Sequence, residues 1–146
     1  MSPLPELQLF NHQDALDLDL DRLEAAGRAA LSEVLKSPGP EEPALPRLPE
    51  IEITFVDDAV ISRVHAEFLD DPTPTDVITF EHGEILISTE TALRQAPEHG
   101  QPPLRETALY LIHGLLHLNG HEDHTETGRG TMQRLQETIL DQVWPR

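Results

Sequence analysis

The sequence predicts a single α+β domain in which about five helices pack on a mixed sheet of roughly four strands. Short segments of alternating apolar residues, typical of strands, occur between longer segments whose apolar residues recur at the helical period. The 146 residues suffice for one domain with its own core and are too few for two ordinary ones. Amphipathic helices that cover the apolar faces of such a sheet form a layered domain.

The first third of the chain predicts one strand, one helix and one long loop. Residues 5–13 place Leu7 and Leu9 among polar neighbours, an alternation typical of a short strand. Apolar residues at helical spacing over 14–36 predict an amphipathic helix with an acidic outer face. Five prolines in residues 37–50 exclude a helix or a central strand, so we expect an exposed loop inside the domain.

The middle of the chain predicts three strands, one helix and one turn. Residues 50–58 alternate apolar and polar side chains, which indicates a strand. We expect Asp57 or Asp58 to cap a helix over 59–69, because a carboxylate accepts hydrogen bonds from the first free amides of a helix. The elements that follow are a turn over 72–76 and strands over 77–82 and 83–88.

Three helices are predicted in the last part of the chain. We expect Ser88 or Thr89 to cap a short helix, and Pro103 suits the first turn of a longer one over 104–118. Gly120 is expected to end that longer helix. The last helix runs roughly over 125–143, with a buried stripe of Met132, Leu135, Ile139 and Val143.

Composition limits the function classes. The chain carries 10 basic and 27 acidic residues, a net charge of −17 that opposes broad adhesion to nucleic acids or anionic membranes. No apolar run approaches the roughly 18 residues that span a bilayer. The first residues lack the features of a secretory signal, so we expect a cytoplasmic protein. Because the chain has no cysteine, a transition-metal site must use histidine and carboxylate ligands.

The segment "HGLLHLNGHEDH", residues 113–124, is the strongest indication of function. His113 and His117 are four residues apart on one predicted helix, so both rings project from the same face and can bind one cation. A glycine then turns the chain and brings further potential ligands within reach, namely His121, Asp123 and His124. Two ligands on a helix and a third beyond the turn leave one coordination position open, as in catalytic zinc sites. The alternative is a helix with one buried and one exposed histidine and no metal.

The same segment resembles the signature of the YbeY family of metal-dependent endoribonucleases, His-Gly-x-Leu-His-Leu-x-Gly-Tyr-Asp-His. Residues 74–80, "PTDVITF", resemble the second motif of this family, Pro-Thr-Asp-Val-Leu-Ser-Phe. Residues 83–89 and 105–114 resemble the segments that follow and connect the motifs. The resemblance covers roughly residues 50 to 140, and several blocks in the same order are much more specific than a histidine pair.

This resemblance implies a cytoplasmic bacterial hydrolase that holds one zinc ion per chain through three histidines and activates a water molecule to cleave RNA. Its substrate would be single-stranded RNA, and its roles would be maturation of the 3′ end of small-subunit ribosomal RNA and ribosome quality control. Its partners would be ribosomal RNA, the small ribosomal subunit and assembly factors. Neither DNA nor a membrane is expected as a partner.

The third zinc ligand differs from the family pattern. The family spacing places its third histidine where this chain has Asp123, and His124 follows one position later, as if one residue were inserted. A loop absorbs one extra residue more easily than a zinc site loses an imidazole. We therefore predict His113, His117 and His124 as ligands, with Asp123 in reserve because zinc accepts carboxylate oxygen. We expect His121 to be a solvated loop residue or part of the pocket rim.

Two further positions depart from the family pattern and leave the substrate contacts open. The family arginine that follows an aromatic residue before the second motif corresponds here to Leu69, and an asparagine of the preceding helix corresponds to His65. Another arginine must then contact phosphate if that family arginine does so. The candidate substrate contacts are Arg63, Arg94, Arg105 and Asp76.

The sequence also leaves the general base open. Gly114 occupies the place of the glutamate that is the base in His-Glu-x-x-His metalloproteases, which disfavours peptidase chemistry. Glu106, about two turns before His113, would orient a ligand, act as the base or cap the helix. Two other function classes stay open: a zinc hydrolase of a non-nucleic substrate, and a non-catalytic ribosome-assembly factor with a structural zinc.

Overall fold

The computed structural model describes residues 4–146 and contains a four-stranded mixed sheet with helices on both faces. Its class is α+β, as the sequence predicts. In chain order the elements are β1 (Glu6–Asn11), α1 (Leu20–Leu35), β2 (Glu50–Val56), α2 (Asp58–Leu69), β3 (Val77–Phe80), β4 (Glu84–Ser88), α3 (Thr89–Gln95), α4 (Pro103–Leu118) and α5 (Glu126–Val143).

The strands lie in the order β1-β2-β4-β3. Strands β1, β2 and β4 are parallel, with Phe55 of β2 opposite Ile87 of β4, and β3 pairs antiparallel with β4 at the edge. Parallel neighbours require crossover connections, which α1 and α2 provide. Phe55 and Ile87 are fully buried, so the centre of the sheet lies in the core.

Helix α4 occupies the centre of the molecule. It contacts α1, α3 and α5 as well as β3 and β4, and eleven of its sixteen residues are buried. The main core lies between this helical layer and one face of the sheet, and α2 covers the other face through a smaller apolar cluster. A helix fixed on so many sides holds the side chains that it presents in constant positions.

The proline-rich segment 37–50 is more ordered than the prediction of an exposed loop. Leu45, in a short 3₁₀ turn, is fully buried. Three amides of this segment donate to carbonyls at and just beyond the end of α4, among them the amide of Ala44 to Leu118 at 2.9 Å. The last carbonyls of a helix have no partner within it, and this segment supplies the missing donors. The segment is thus an exposed loop over most of its length, as predicted, and Leu45 and the amides bonded at the end of α4 anchor it.

Side-chain caps set the helix starts. Asp19 accepts a hydrogen bond from the amide of Arg22, so α1 begins at residue 20 and not at 14. Asp57 caps α2 and Ser88 caps α3 in the same way, which settles two pairs of alternatives left open by the sequence. Strand β3 ends at Phe80, before the turn to β4, and is two residues shorter than predicted.

Candidate metal centre

Three side chains from α4 and the turn after it converge on one point. The Nε2 atoms of His113 and His117 are 3.0 Å apart. Oδ2 of Asp123 lies 3.6 Å from the first and 3.3 Å from the second. Gly120, with φ of +93°, reverses the chain after the helix and returns Asp123 to the two rings. Each residue thus offers one ligand atom to a common centre.

Both imidazoles are oriented by an acceptor on their other nitrogen. Nδ1 of His113 donates to the amide oxygen of Gln136 on α5 at 2.8 Å, and Nδ1 of His117 donates to the main-chain oxygen of His121 at 3.1 Å. With its proton on Nδ1, each ring presents the lone pair of Nε2 to the common centre. Histidine ligands of protein metal sites are oriented in this way.

The spacing of the three ligand atoms fits a tetrahedral divalent ion. Bonds of about 2.0–2.1 Å at tetrahedral angles place two ligand atoms about 3.3 Å apart. The observed separations of 3.0, 3.3 and 3.6 Å lie around that value. Two nitrogens and one carboxylate oxygen also form a ligand set that catalytic zinc sites use. The residues present therefore fit a zinc-like ion with one position left for a further ligand.

The charges of the group favour a bound cation. The hydrogen bond with His113 lowers the pKa of Asp123 to about 2, although burial opposes this. Burial alone would lower the pKa of His113, but hydrogen bonds to Asp123 and Gln136 outweigh it and raise the pKa. Burial and the neighbouring charge of His113 lower the pKa of His117. Asp123 therefore stays ionised, and a metal ion would displace a proton from the imidazole pair.

The structure does not bring His124 into this group. Its side chain is 69% exposed, and its nearest charged neighbour is Glu122, at 3.9 Å. Glu122 accepts hydrogen bonds from the amide and hydroxyl of Thr125, and Thr125 caps α5. This capped turn directs the side chain of Asp123 towards the rings and that of His124 into solvent. Asp123, which the sequence offered as the reserve ligand, thus lies at the centre, and His124, the preferred ligand, does not.

The expectation for His121 is wrong. Its side chain is buried, and its Nε2 donates to the main-chain oxygen of Ser37 at 2.6 Å. It therefore ties the proline-rich segment to the turn after α4, while its own carbonyl orients His117. A residue expected on the pocket rim is part of the support of the candidate metal centre.

The predicted substrate contacts lie in different environments. Arg105 lines the cleft described below, but it is buried, and its guanidinium donates to the carbonyl of Trp144 and the carboxylate of Asp141. Arg63 lies on the exposed surface of α2, outside the residues that line the cleft. Asp76 accepts a hydrogen bond from the amide of Val77 at 2.8 Å, and its charge helps to raise the pKa of His113.

The other candidates have partners of their own. Arg94 donates to Asp58 and Thr91 at the start of α2 and α3. Glu106 is fully buried and accepts hydrogen bonds from His99 and Gln101. Glu106 lies in the first turn of α4 but makes no capping hydrogen bond, and the side chains that donate to it are not the histidine ligands.

An open cleft of about 660 Å³ lies between α4 and α5 and leads away from the candidate metal centre. His113 and Asp123 line one part of it, and His99 and Arg146 also line it. Its lining includes three arginines and three acidic residues, whereas the whole chain has 10 basic and 27 acidic residues. The cleft is therefore close to neutral on a strongly acidic molecule.

Sequence reasoning missed several residues of this region. Gln136 lies four residues after Met132 and three before Ile139, inside the predicted buried stripe of α5, so a polar side chain there was a signal that it has a partner. Nothing in the sequence distinguished Arg129 and Arg146, which line the cleft, from other surface arginines.

Comparison with known proteins places these observations in a family. A family model described as Endoribonuclease YbeY matches residues 8–144. A protein of Carboxydothermus hydrogenoformans named Endoribonuclease YbeY is 32% identical over 142 residues, which cover 91% of this chain and 94% of that protein. A relative of the same name from Pelotomaculum thermopropionicum is 34% identical, over 78% of this chain and 82% of its own length.

Two further matches differ in extent. A protein of Protochlamydia amoebophila, also named Endoribonuclease YbeY, is 42% identical, but the match covers 53% of this chain and 59% of that relative. The solution structure of TM1509 from Thermotoga maritima superposes with a TM-score of 0.62 over 94% of this chain and 89% of that one, at 21% identity. The second match shows a shared fold.

Proposed function

The chain belongs to the YbeY family of endoribonucleases, and we propose that it hydrolyses phosphodiester bonds of single-stranded RNA with one zinc ion. The observation that carries this proposal is the pair of oriented Nε2 atoms, 3.0 Å apart, beside an ionised carboxylate at an open cleft. His113, His117 and Asp123 would hold the ion. We retain His124 as a ligand only if the turn rearranges on metal binding.

The bound ion would polarise a phosphoryl oxygen and lower the pKa of water, and both effects promote hydrolysis of a phosphodiester. The protein's own residues fix the ligands: Gln136 and the carbonyl of His121 hold the two rings, and Asp123 provides the negative charge. Asp76 stays a candidate for a hydrogen bond to substrate because its charge acts on His113.

Peptide hydrolysis is disfavoured by packing as well as by sequence. A Cβ atom on Gly114 would lie 3.0 Å from Cγ2 and 3.1 Å from Cδ1 of Ile85. A glutamate at this position, the general base of His-Glu-x-x-His peptidases, would therefore require the side chain of Ile85 to shift. The space next to the first ligand is filled by the sheet.

The cleft between α4 and α5 is the candidate path of the RNA strand. Its near-neutral lining becomes positive once a divalent ion is bound, which offsets the net charge of −17 locally. Arg129 and Arg146 are exposed along this cleft and are our candidates for phosphate contacts. Arg105 is a weaker candidate for a phosphate contact because its buried guanidinium already donates to protein acceptors. Arg63 is a weaker candidate because it lies outside the cleft.

Family membership supports a role in maturation of the 3′ end of small-subunit ribosomal RNA and in ribosome quality control. The small ribosomal subunit and its assembly factors would be the partners, and the cytoplasm the location. In the described residues, no helix combines the length and apolar character needed to cross a membrane.

The test is cleavage of single-stranded and duplex RNA by zinc-loaded protein, beside His117→Ala and His82→Ala. His82 lies in the exposed turn between β3 and β4 and is the matched histidine control. We expect cleavage of single strands only, lost in His117→Ala and kept in His82→Ala. Cleavage that persists in His117→Ala indicates a contaminating nuclease. Intact RNA with zinc bound would favour a non-nucleic substrate or, with ribosome association, an assembly factor.

A further inference from the structure

A second group of polar side chains lines the same cleft without contributing a metal ligand. The carboxylate of Glu106 on α4 accepts hydrogen bonds from Nδ1 of His99, at 2.8 and 2.9 Å to its two oxygens. Nε2 of Gln101 donates to the same carboxylate at 2.6 Å. Glu106 is fully buried, whereas the side chain of His99 is 48% exposed and lines the cleft. The carboxylate thus holds a half-exposed imidazole at a fixed angle.

The hydrogen bonds indicate the charge of this pair. Both side-chain partners of Glu106 are N–H donors, which is the environment of an ionised carboxylate. An ionised carboxylate is costly to bury without a counter-charge. The guanidinium of Arg105 is directed to Gln101 and Asp141 and not to Glu106, so the side chain that faces this carboxylate as its counter-group is His99. Nδ1–H of His99 is used by Glu106, so Nε2 faces the cleft and is a donor in the imidazolium form.

The Glu106–His99 pair lies at a distance from the metal centre but along the same cleft. Glu106 precedes His113 by seven residues on one helix, a distance of about 10 Å along the axis. His99 therefore cannot reach a phosphodiester held at the metal ligands, but both lie along one continuous cleft. Arg146, whose guanidinium donates to the carbonyl of Gly100 at 3.3 Å, adds a second cation beside His99.

We propose that His99, positioned by Glu106, donates a hydrogen bond from Nε2 to a phosphate of the RNA strand beyond the scissile bond. This rests on the proposed function, since it supplies the strand that occupies the cleft. The contact fixes the strand along α4, so the phosphodiester to be cleaved lies at His113 and His117. His99 is thus a substrate-binding residue, and Glu106 is the residue that positions it.

The experiment measures binding of labelled oligouridine, by fluorescence anisotropy with EDTA present, at several salt concentrations. Each phosphate contact contributes about 0.7 to the slope of log affinity against log salt for a single strand. His99→Gln keeps an N–H donor for Glu106 but has no charge, so the slope should fall by about 0.7 and affinity by about tenfold at low salt. His99→Arg should restore the slope, and Glu106→Gln should lower it. His82→Gln is the matched control and should behave as wild type.

An unchanged slope in His99→Gln, with thermal stability kept, would overturn the proposal. Weaker binding of RNA but not of oligodeoxyuridine, with an unchanged slope, would assign the contact to a ribose hydroxyl and would also overturn it. The two proposals fail separately, because this readout requires neither metal nor cleavage. A reduced slope in a protein whose zinc-loaded form leaves RNA intact would contradict the proposed function alone.

Discussion

Gln136 should control metal affinity although it is not a ligand. Its amide oxygen, 2.8 Å from Nδ1 of His113, is the acceptor that directs Nε2 of that ring to the metal centre. Replacement by leucine keeps the approximate volume of the side chain and removes the acceptor. The ring can then rotate or adopt the other tautomer, in which the proton lies on the nitrogen needed for the metal.

The size of the effect follows from the hydrogen bond and from the burial of the ring. Loss of one hydrogen bond costs about 0.5–1.5 kcal/mol, and a buried donor left without a partner costs about 1–3 kcal/mol. Since 1.4 kcal/mol corresponds to a factor of ten, we expect zinc affinity to fall about 10–100-fold. Gln136→Glu keeps an acceptor and should retain affinity.

The assay is competition for zinc between the protein and a chromophoric chelator. Gln142→Leu is the matched control, because Gln142 is an exposed glutamine of the same helix outside the cleft lining. The reasoning is refuted if Gln136→Leu binds zinc as tightly as wild type, or if the control loses as much affinity as Gln136→Leu.

Three further predictions concern stability and substrate binding. Burial would raise the pKa of Asp58, but hydrogen bonds from partners that include Arg94 outweigh it and lower the pKa below 3.8. Ionised Asp58 therefore stabilises the folded state above the ordinary pKa of an aspartate, and this stabilisation is lost as pH falls through the lowered pKa of the folded state. Between about pH 5 and pH 2, the Tm of Asp58→Asn should fall less than that of wild type. Gly120→Ala should cost about 1–3 kcal/mol in backbone strain, which corresponds to about 2–12 °C in Tm by circular dichroism. The cost should be larger still because the added Cβ would clash with the main-chain oxygen of Glu41, and an unchanged Tm would contradict this. Arg129→Ala should weaken binding of single-stranded RNA and leave zinc affinity unchanged, and equal RNA affinity would exclude Arg129 from the path of the strand.

The elements of the fold were predictable because they depend on local signals. The alternation around Leu7 and Leu9 gave β1, and carboxylates such as Asp57 gave helix starts. The course of residues 37–50 was not predictable, because it depends on carbonyls at the end of α4, more than seventy residues away in the chain. Residue type indicated a loop, and long-range hydrogen bonding determined where the loop lies.

The candidate site likewise has one part that follows from local signals in the sequence and one part that does not. The pairing of His113 with His117 follows from helical spacing, which is local. The choice between Asp123 and His124 depends on how Glu122 and the start of α5 fix the turn, and one residue of register exchanges the two side chains. A family pattern predicts the number of ligands, but the geometry of this turn determines which side chain lies at the metal centre.

The most direct measurement is a crystal structure of the protein grown with zinc. We expect one ion bound by Nε2 of His113, Nε2 of His117 and a carboxylate oxygen of Asp123, with a solvent molecule as the further ligand and with His124 in solvent. Rings that turn away from each other with no ion between them, or an ion closed off by a fourth protein ligand, would contradict a catalytic metal centre at this position.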